Sequence, residues 1–167
     1  IKGSFLMKKI LKLSIVLLGA LFVLLGCRSE SKSVFVLQTD TSKVTYTYVY
    51  DKENDTVLSL TTDIVVRLSG VQEFATETRQ KRDELVNQMK DIEGVKVTSS
   101  DGENAIGFTI EIDVKKFKLD DAESREKAPS LYQTMDTALI KKDDKVSFSS
   151  SKESIERLGL EEQKEEK

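Results

Sequence analysis

The chain has 167 residues, with 26 Lys and Arg, 29 Asp and Glu, one Cys, one Pro and no His or Trp. A lone Cys excludes an internal disulfide framework and a thiolate metal cluster, and the lack of His removes the commonest general base and metal ligand. The length suits one domain, and beyond residue 26 the 22 Lys and Arg against 29 acids leave a net charge of −7, which argues against nucleic acid as a partner.

Residues 1–6 (Ile-Lys-Gly-Ser-Phe-Leu) contribute nothing to a signal peptide. Met7 reads as the true start. Residues 1–6 then come from translation of an upstream purine-rich run, of the kind a ribosome-binding site carries, or from a cloning remnant. From Met7 to Gly26 the pattern is a secretory signal: Lys8, Lys9 and Lys12 form a basic start, and Leu13–Leu25 is an apolar run of 13 residues. A spanning helix needs about 20 apolar residues, so this run is short for a permanent anchor. It closes on Leu24-Leu25-Gly26-Cys27. This ending resembles the lipobox of bacterial lipoproteins. The resemblance implies a diacylglyceryl group on the Cys27 sulfur and cleavage by signal peptidase II between Gly26 and Cys27. Arg28–Ser33 is polar and reads, with Cys27, as a tether.

The folded part is expected over residues 34–160. Val34–Thr39 is a short apolar run, followed by a turn at Asp40-Thr41-Ser42. Lys43–Asp51 and Val57–Leu68 alternate with period two and are rich in β-branched and aromatic residues, so they predict strands joined by the turn Lys52–Asp55. After Ser69-Gly70, the spacing of Val71, Phe74, Ala75, Thr78, Leu85, Val86, Met89 and Ile92 predicts a helix over 71–92 that Gly94 stops. Val95 and Val97 begin a strand, Asp101-Gly102 is a hairpin dipeptide, and Ala105–Lys115 alternates cleanly. The signal weakens over 119–128, which reads as loop or frayed helix. A helix follows over 129–140, with Pro129 in its first turn. Val146-Ser147-Phe148 reads as a short strand. Ser150 and Glu153 suggest a capping box for a last helix closed by Gly159, and residues 161–167 form a charged tail. These elements define an α+β class: an antiparallel sheet, made of a meander plus a hairpin, with helices packed on one face of a single compact domain.

Val44-Thr45-Tyr46-Thr47-Tyr48-Val49-Tyr50, placed soon after a lipobox, resembles the YehR-like family of small bacterial lipoproteins. Ile92-Glu93-Gly94-Val95, Phe108–Asp113, and Val146–Phe148 through Leu158–Glu161 are similar to further family segments in the same order. Residues 118–144 do not match. The resemblance implies a compact α+β lipoprotein domain and hands over no catalytic residue, because the family has no established activity.

Candidate chemistry is sparse. Asp51–Asp55 places oxygens at alternate positions as a calcium loop does, but Thr56 and Thr62 stand where such a loop needs Gly and Glu, so the segment reads as a hairpin turn. Asp120-Asp121 and Asp143-Asp144 read as solvated pairs. Ser-x-x-Lys occurs at Ser29, Ser124 and Ser149 without the partner motifs of penicillin-binding enzymes. No catalytic residue, metal site or cofactor is expected. The stripe of Tyr46, Tyr48 and Tyr50 reads first as core beneath the 71–92 helix, and otherwise as a binding face, since tyrosine offers area and a polar tip. The expectation is therefore a monomeric, extracytoplasmic, non-enzymatic binding module. It is held to the membrane through diacylglyceryl-Cys27, at the outer membrane in a two-membrane bacterium, and it engages an envelope protein or small ligand. The alternatives are an accessory lipoprotein that captures a ligand or ion for a transporter, which a closed apolar cavity would favour, and a divergent hydrolase, which converging carboxylates would favour.

Overall fold

The structure is a computed structural model that describes residues 30–68 and 72–164. The signal region and lipobox, with Leu24, Leu25, Gly26 and Cys27, lie outside the described residues. Strands β1 (Glu30–Gln38), β2 (Ser42–Asp51) and β3 (Thr56–Arg67) form the meander. Helix α1 (Gln72–Met89) leads to the hairpin of β4 (Val95–Asp101) and β5 (Ala105–Asp113). Two helices, α2 (Ala122–Lys127) and α3 (Pro129–Ala138), precede a small hairpin of β6 (Ile140–Lys142) and β7 (Lys145–Ser147). Helix α4 (Phe148–Arg157) and strand β8 (Glu161–Gln163) finish the described chain.

The sheet is antiparallel throughout its described pairs, in the order β4-β5-β3-β2-β1-β8, with β7 joined to β3 through Thr56 and Ser147. The register carries the alternation straight across it. Phe35, Tyr46, Thr62, Ile110 and Val97 form one row, and Ser33, Tyr48, Leu60, Ile112 and Val95 the next. These rows bear the core, and every described helix of eight or more residues contributes to it. Met89 comes from α1, Leu131, Tyr132 and Met135 from α3, and Phe148 and Ile155 from α4. The long helices therefore share one face, as the alternation requires.

Four of the differences from the sequence reading bear on the site. β1 begins at Glu30, so the last four residues of the expected tether are strand. Residues 161–163 pair with β1 as β8 and are not a loose tail. The last helix starts at Phe148, because Ser147, not Ser150, is its N-cap and accepts from Ser150 N. Asp55 reinforces that cap from 92 residues away: it accepts from Ser147 Oγ at 2.6 Å and Ser149 N at 2.8 Å. The fourth is α1, which ends at Met89 and packs on β4 and β5, while α3 and α4 cover the tyrosines.

Candidate functional site

Tyr46 and Tyr48 point into the core and cannot form the binding face considered from the sequence. Tyr48 is fully buried, and its hydroxyl donates to Ala138 O at 2.7 Å. Burial raises the pKa of both phenols, and Tyr46 adds to the rise at Tyr48. Tyr50 is half-buried, with its ring stacked on Phe148 at 3.5 Å and its hydroxyl 3.2 Å from Ser33 Oγ.

The acidic turns are structural. Asp51 accepts from Glu53 N and from Asn54 Nδ2, while Asp55 serves α4, so the two carboxylates are used apart. Asp143 and Asp144 have φ of 53° and 63°, the left-handed pair that a two-residue type I′ hairpin turn needs. The described Ser-x-x-Lys pairs also part. Ser124 Oγ donates to Asp121 while Lys127 pairs with Glu123, and Ser149 Oγ donates to Asp55 while Lys152 pairs with Glu162. Among the described residues no three of His, Cys, Asp and Glu are placed to hold a metal ion.

A groove of about 600 Å³ lies where β3 begins, between the chain leaving β5 and the β6–β7 hairpin. Its floor is Val57, Leu58, Val114, Phe117, Leu119 and Val146. Lys115, Lys118, Lys141 and Lys145 stand at its rim with Asp120, Asp121 and Asp144. The turn after β5 builds one wall. Gly94 (φ 80°) accepts from Asp113 N at 2.8 Å, Asp113 O accepts from Phe117 N at 2.9 Å, and Leu58 O accepts from Val114 N at 3.1 Å. A Cβ on Gly94 would sit 2.6 Å from Phe117 N, so only glycine permits that close approach.

The wall is braced from behind. Phe117 stacks on Tyr132 at 5.1 Å, and the Tyr132 hydroxyl donates to Lys118 O at 2.9 Å. Arg125 lies over the Tyr132 ring, donates to Leu119 O at 2.8 Å, and grips Asp136 with both terminal nitrogens. Asp121 caps α2 through Ser124 N, and Lys141 ties the hairpin to Asp120. Lys145 donates to Asn54 O on the turn before β3. The hydrogen bond from Lys141 holds Asp120 below the usual carboxylate range, and the bonds from Ser124 do the same for Asp121. Both stay ionised at neutral pH. The groove thus offers a pre-formed apolar floor with charges at fixed places. Sequence reading missed it, since residues 118–144 carried the weakest pattern. The one available signal was Phe117 and Leu119 set among Lys115, Lys116 and Lys118.

An open antiparallel sheet with helices on one face defines a small α+β domain without a fold-specific catalytic centre. That fold is shared with the NMR structure of the YehR protein of Escherichia coli, at a TM-score of 0.61 and 17% identity, over 85% of this chain and 96% of that one. It is also shared with the NMR structure of a protein from Streptococcus pneumoniae TIGR4, at a TM-score of 0.53 and 19% identity, over 83% and 87%. No family model and no curated protein matches the chain. At these identities the likeness concerns the fold.

Proposed function

We propose that this chain is an extracytoplasmic lipoprotein, anchored through Cys27, whose folded domain is a non-enzymatic binding module working through the groove. The observation that carries this reading is the spacing between the lipobox and the fold. Cys27 stands three residues before Glu30, the first residue of β1. Three extended residues reach about 10 Å. Glu30 pairs with Asp51, Asp51 with Thr56, and Thr56 with Ser147, so the chain enters at the end of the sheet where the groove opens. Anchoring at Cys27 turns that end toward the bilayer. The binding reading is supported by the apolar floor, and by rim groups tied up in caps and ion pairs instead of aligned as nucleophile and base. The groove is open rather than a closed cavity, and two of its aspartates, Asp120 and Asp121, are engaged separately by Lys141 and Ser124, so neither sequence alternative gains from it.

The test is the N-terminus of the protein in bacterial membranes. Mature chain should begin at Cys27 carrying a diacylglyceryl group and should partition into detergent. Cys27→Ala should accumulate uncut. Wild-type chain that partitions into water with Gly26 still attached would overturn the reading.

A further inference from the structure

We infer that the groove binds one molecule of a single-chain amphiphile with an anionic head, its alkyl chain along the floor and its head at the lysine rim. The inference deepens the binding-module reading and rests on it. Six lining side chains are apolar, four of them also part of the core, and the one uncharged polar side chain, Thr56, already donates to Asn54 O. Phe117 stacks on Tyr132 and is buried, so it presents no open ring face to a base. A polar ligand would lose its water over the half-buried Leu58 and Val114 without replacement, whereas an alkyl chain gains from leaving water there.

The rim selects the head. Four lysines face three aspartates, a local excess of one positive charge in a chain whose part beyond residue 26 carries −7. Two of the aspartates are engaged, Asp120 by Lys141 and Asp121 by Ser124, which leaves Asp144 as the rim carboxylate without such a tie. Of the lysines, Lys118 reaches Glu93 at 3.6 Å, and Lys145 donates to Asn54 O. Lys115 is exposed, and its ammonium pairs with no described residue. Lys115 and Lys118 flank Phe117 on the same wall. They are therefore the pair available to a carboxylate or phosphate whose chain lies against the floor. The volume falls within the range of pockets that hold small molecules.

A fatty acid and a lysophospholipid share this chemistry, and photolabelling separates them. The full chain is reconstituted in phosphatidylcholine nanodiscs and irradiated with diazirine-bearing palmitate, diazirine-bearing lysophosphatidylglycerol, or a diazirine monoacylglycerol of the same chain length. Mass spectrometry then maps the adducts. Labelling concentrated on residues 56–58 and 114–119 by either anionic probe, above the neutral one, supports the inference, and whichever probe labels names the source. Leu58→Asp should cut labelling about tenfold, because a carboxylate then lies along the alkyl chain. Lys115→Glu, at an exposed site that disturbs no packing, should weaken the anionic probes and leave the neutral one unchanged. Adducts spread evenly over the surface, or equal labelling by the neutral probe, would overturn it. The N-terminal mass is read on the same sample. Groove labelling on a chain without lipid at Cys27 would keep the amphiphile inference and remove the anchor; a lipidated chain without groove labelling would do the reverse.

Discussion

Tyr48 and Tyr50 lie two residues apart on β2 and end in different surroundings. Tyr48 spends its hydroxyl on Ala138 O, the last residue of α3, and so ties the meander to a helix 90 residues later. Tyr48→Phe should keep the packing and lose that bond in a buried setting, at a cost of about 1–2 kcal/mol in chemical denaturation. An unchanged unfolding free energy would show that the bond carries nothing. Asp63 makes a second residue-scale case. It is buried on the sheet face opposite the core rows and accepts from Thr109 Oγ1 at 2.5 Å. Burial pushes its carboxyl up, and Glu111 adds to the rise, against the hydrogen bond from Thr109. A carboxyl raised in the folded state contributes stability that is full below its unfolded pKa of about 3.9 and is lost as pH rises through the folded value. Asp63→Asn keeps an acceptor for Thr109 and removes the charge. It should raise the melting temperature at pH 8 and change it little at pH 4. A variant no more stable than wild type at pH 8 would contradict this account.

At the scale of elements, the two-residue periods of β2, β3 and β5 were plain in the sequence because the large apolar side chains alternate onto the helix-covered face, while the other face, buried too at Thr45, Thr47, Thr61 and Asp63, carries small polar residues there. Tyr46 and Tyr48, Leu60, and Ile110 and Ile112 show it directly. The helix over 72–89 was legible for the matching reason, although Phe74, counted toward its apolar face, is 45% exposed. The α4 cap was misplaced by three residues because Ser147, Ser149 and Ser150 offer similar local choices, and Asp55, which stabilises the true one, comes from a turn far away in sequence. The groove was illegible for the same kind of reason. Val57, Val114 and Val146 meet only through long-range pairing, and the local alternation that covers Val57 and Val114 does not show that they line one groove. Gly94 tests the element that builds the groove wall. With φ of 80° and Phe117 N at 2.6 Å from the missing Cβ, Gly94→Ala should destabilise by more than about 1 kcal/mol. The measured cost should exceed that of Gly102→Ala, a glycine outside the left-handed region. Equal costs would mean that the corner relaxes freely.

The whole molecule has two ends. Entry of the chain at Glu30 sets the turn Lys52–Asp55 and the groove at one end of the sheet, with the Asp101–Asn104 turn at the other. Under anchoring at Cys27, a fluorophore at Lys52 should be quenched by lipids carrying a headgroup quencher, while one at Glu103 should not. β strands rise about 3.3 Å per residue, so the 12 residues of β3 separate the two ends by about 35 Å. Equal quenching at both positions would show that the domain lies flat or tumbles.

The pairing of β8 with β1 sets an order of events for a chain made from its N-terminus. Residues 34–36 receive their second neighbour only from residues 161–163, which are synthesised about 125 residues later. Until then β1 shows a bare backbone edge beside Val34 and Val36, the kind of template on which other chains nucleate. A chain that stops before residue 161 would therefore keep its core and leave this flank unsealed. Loss of residues 161–163 would be felt as clumping of the product before any fall in its melting point.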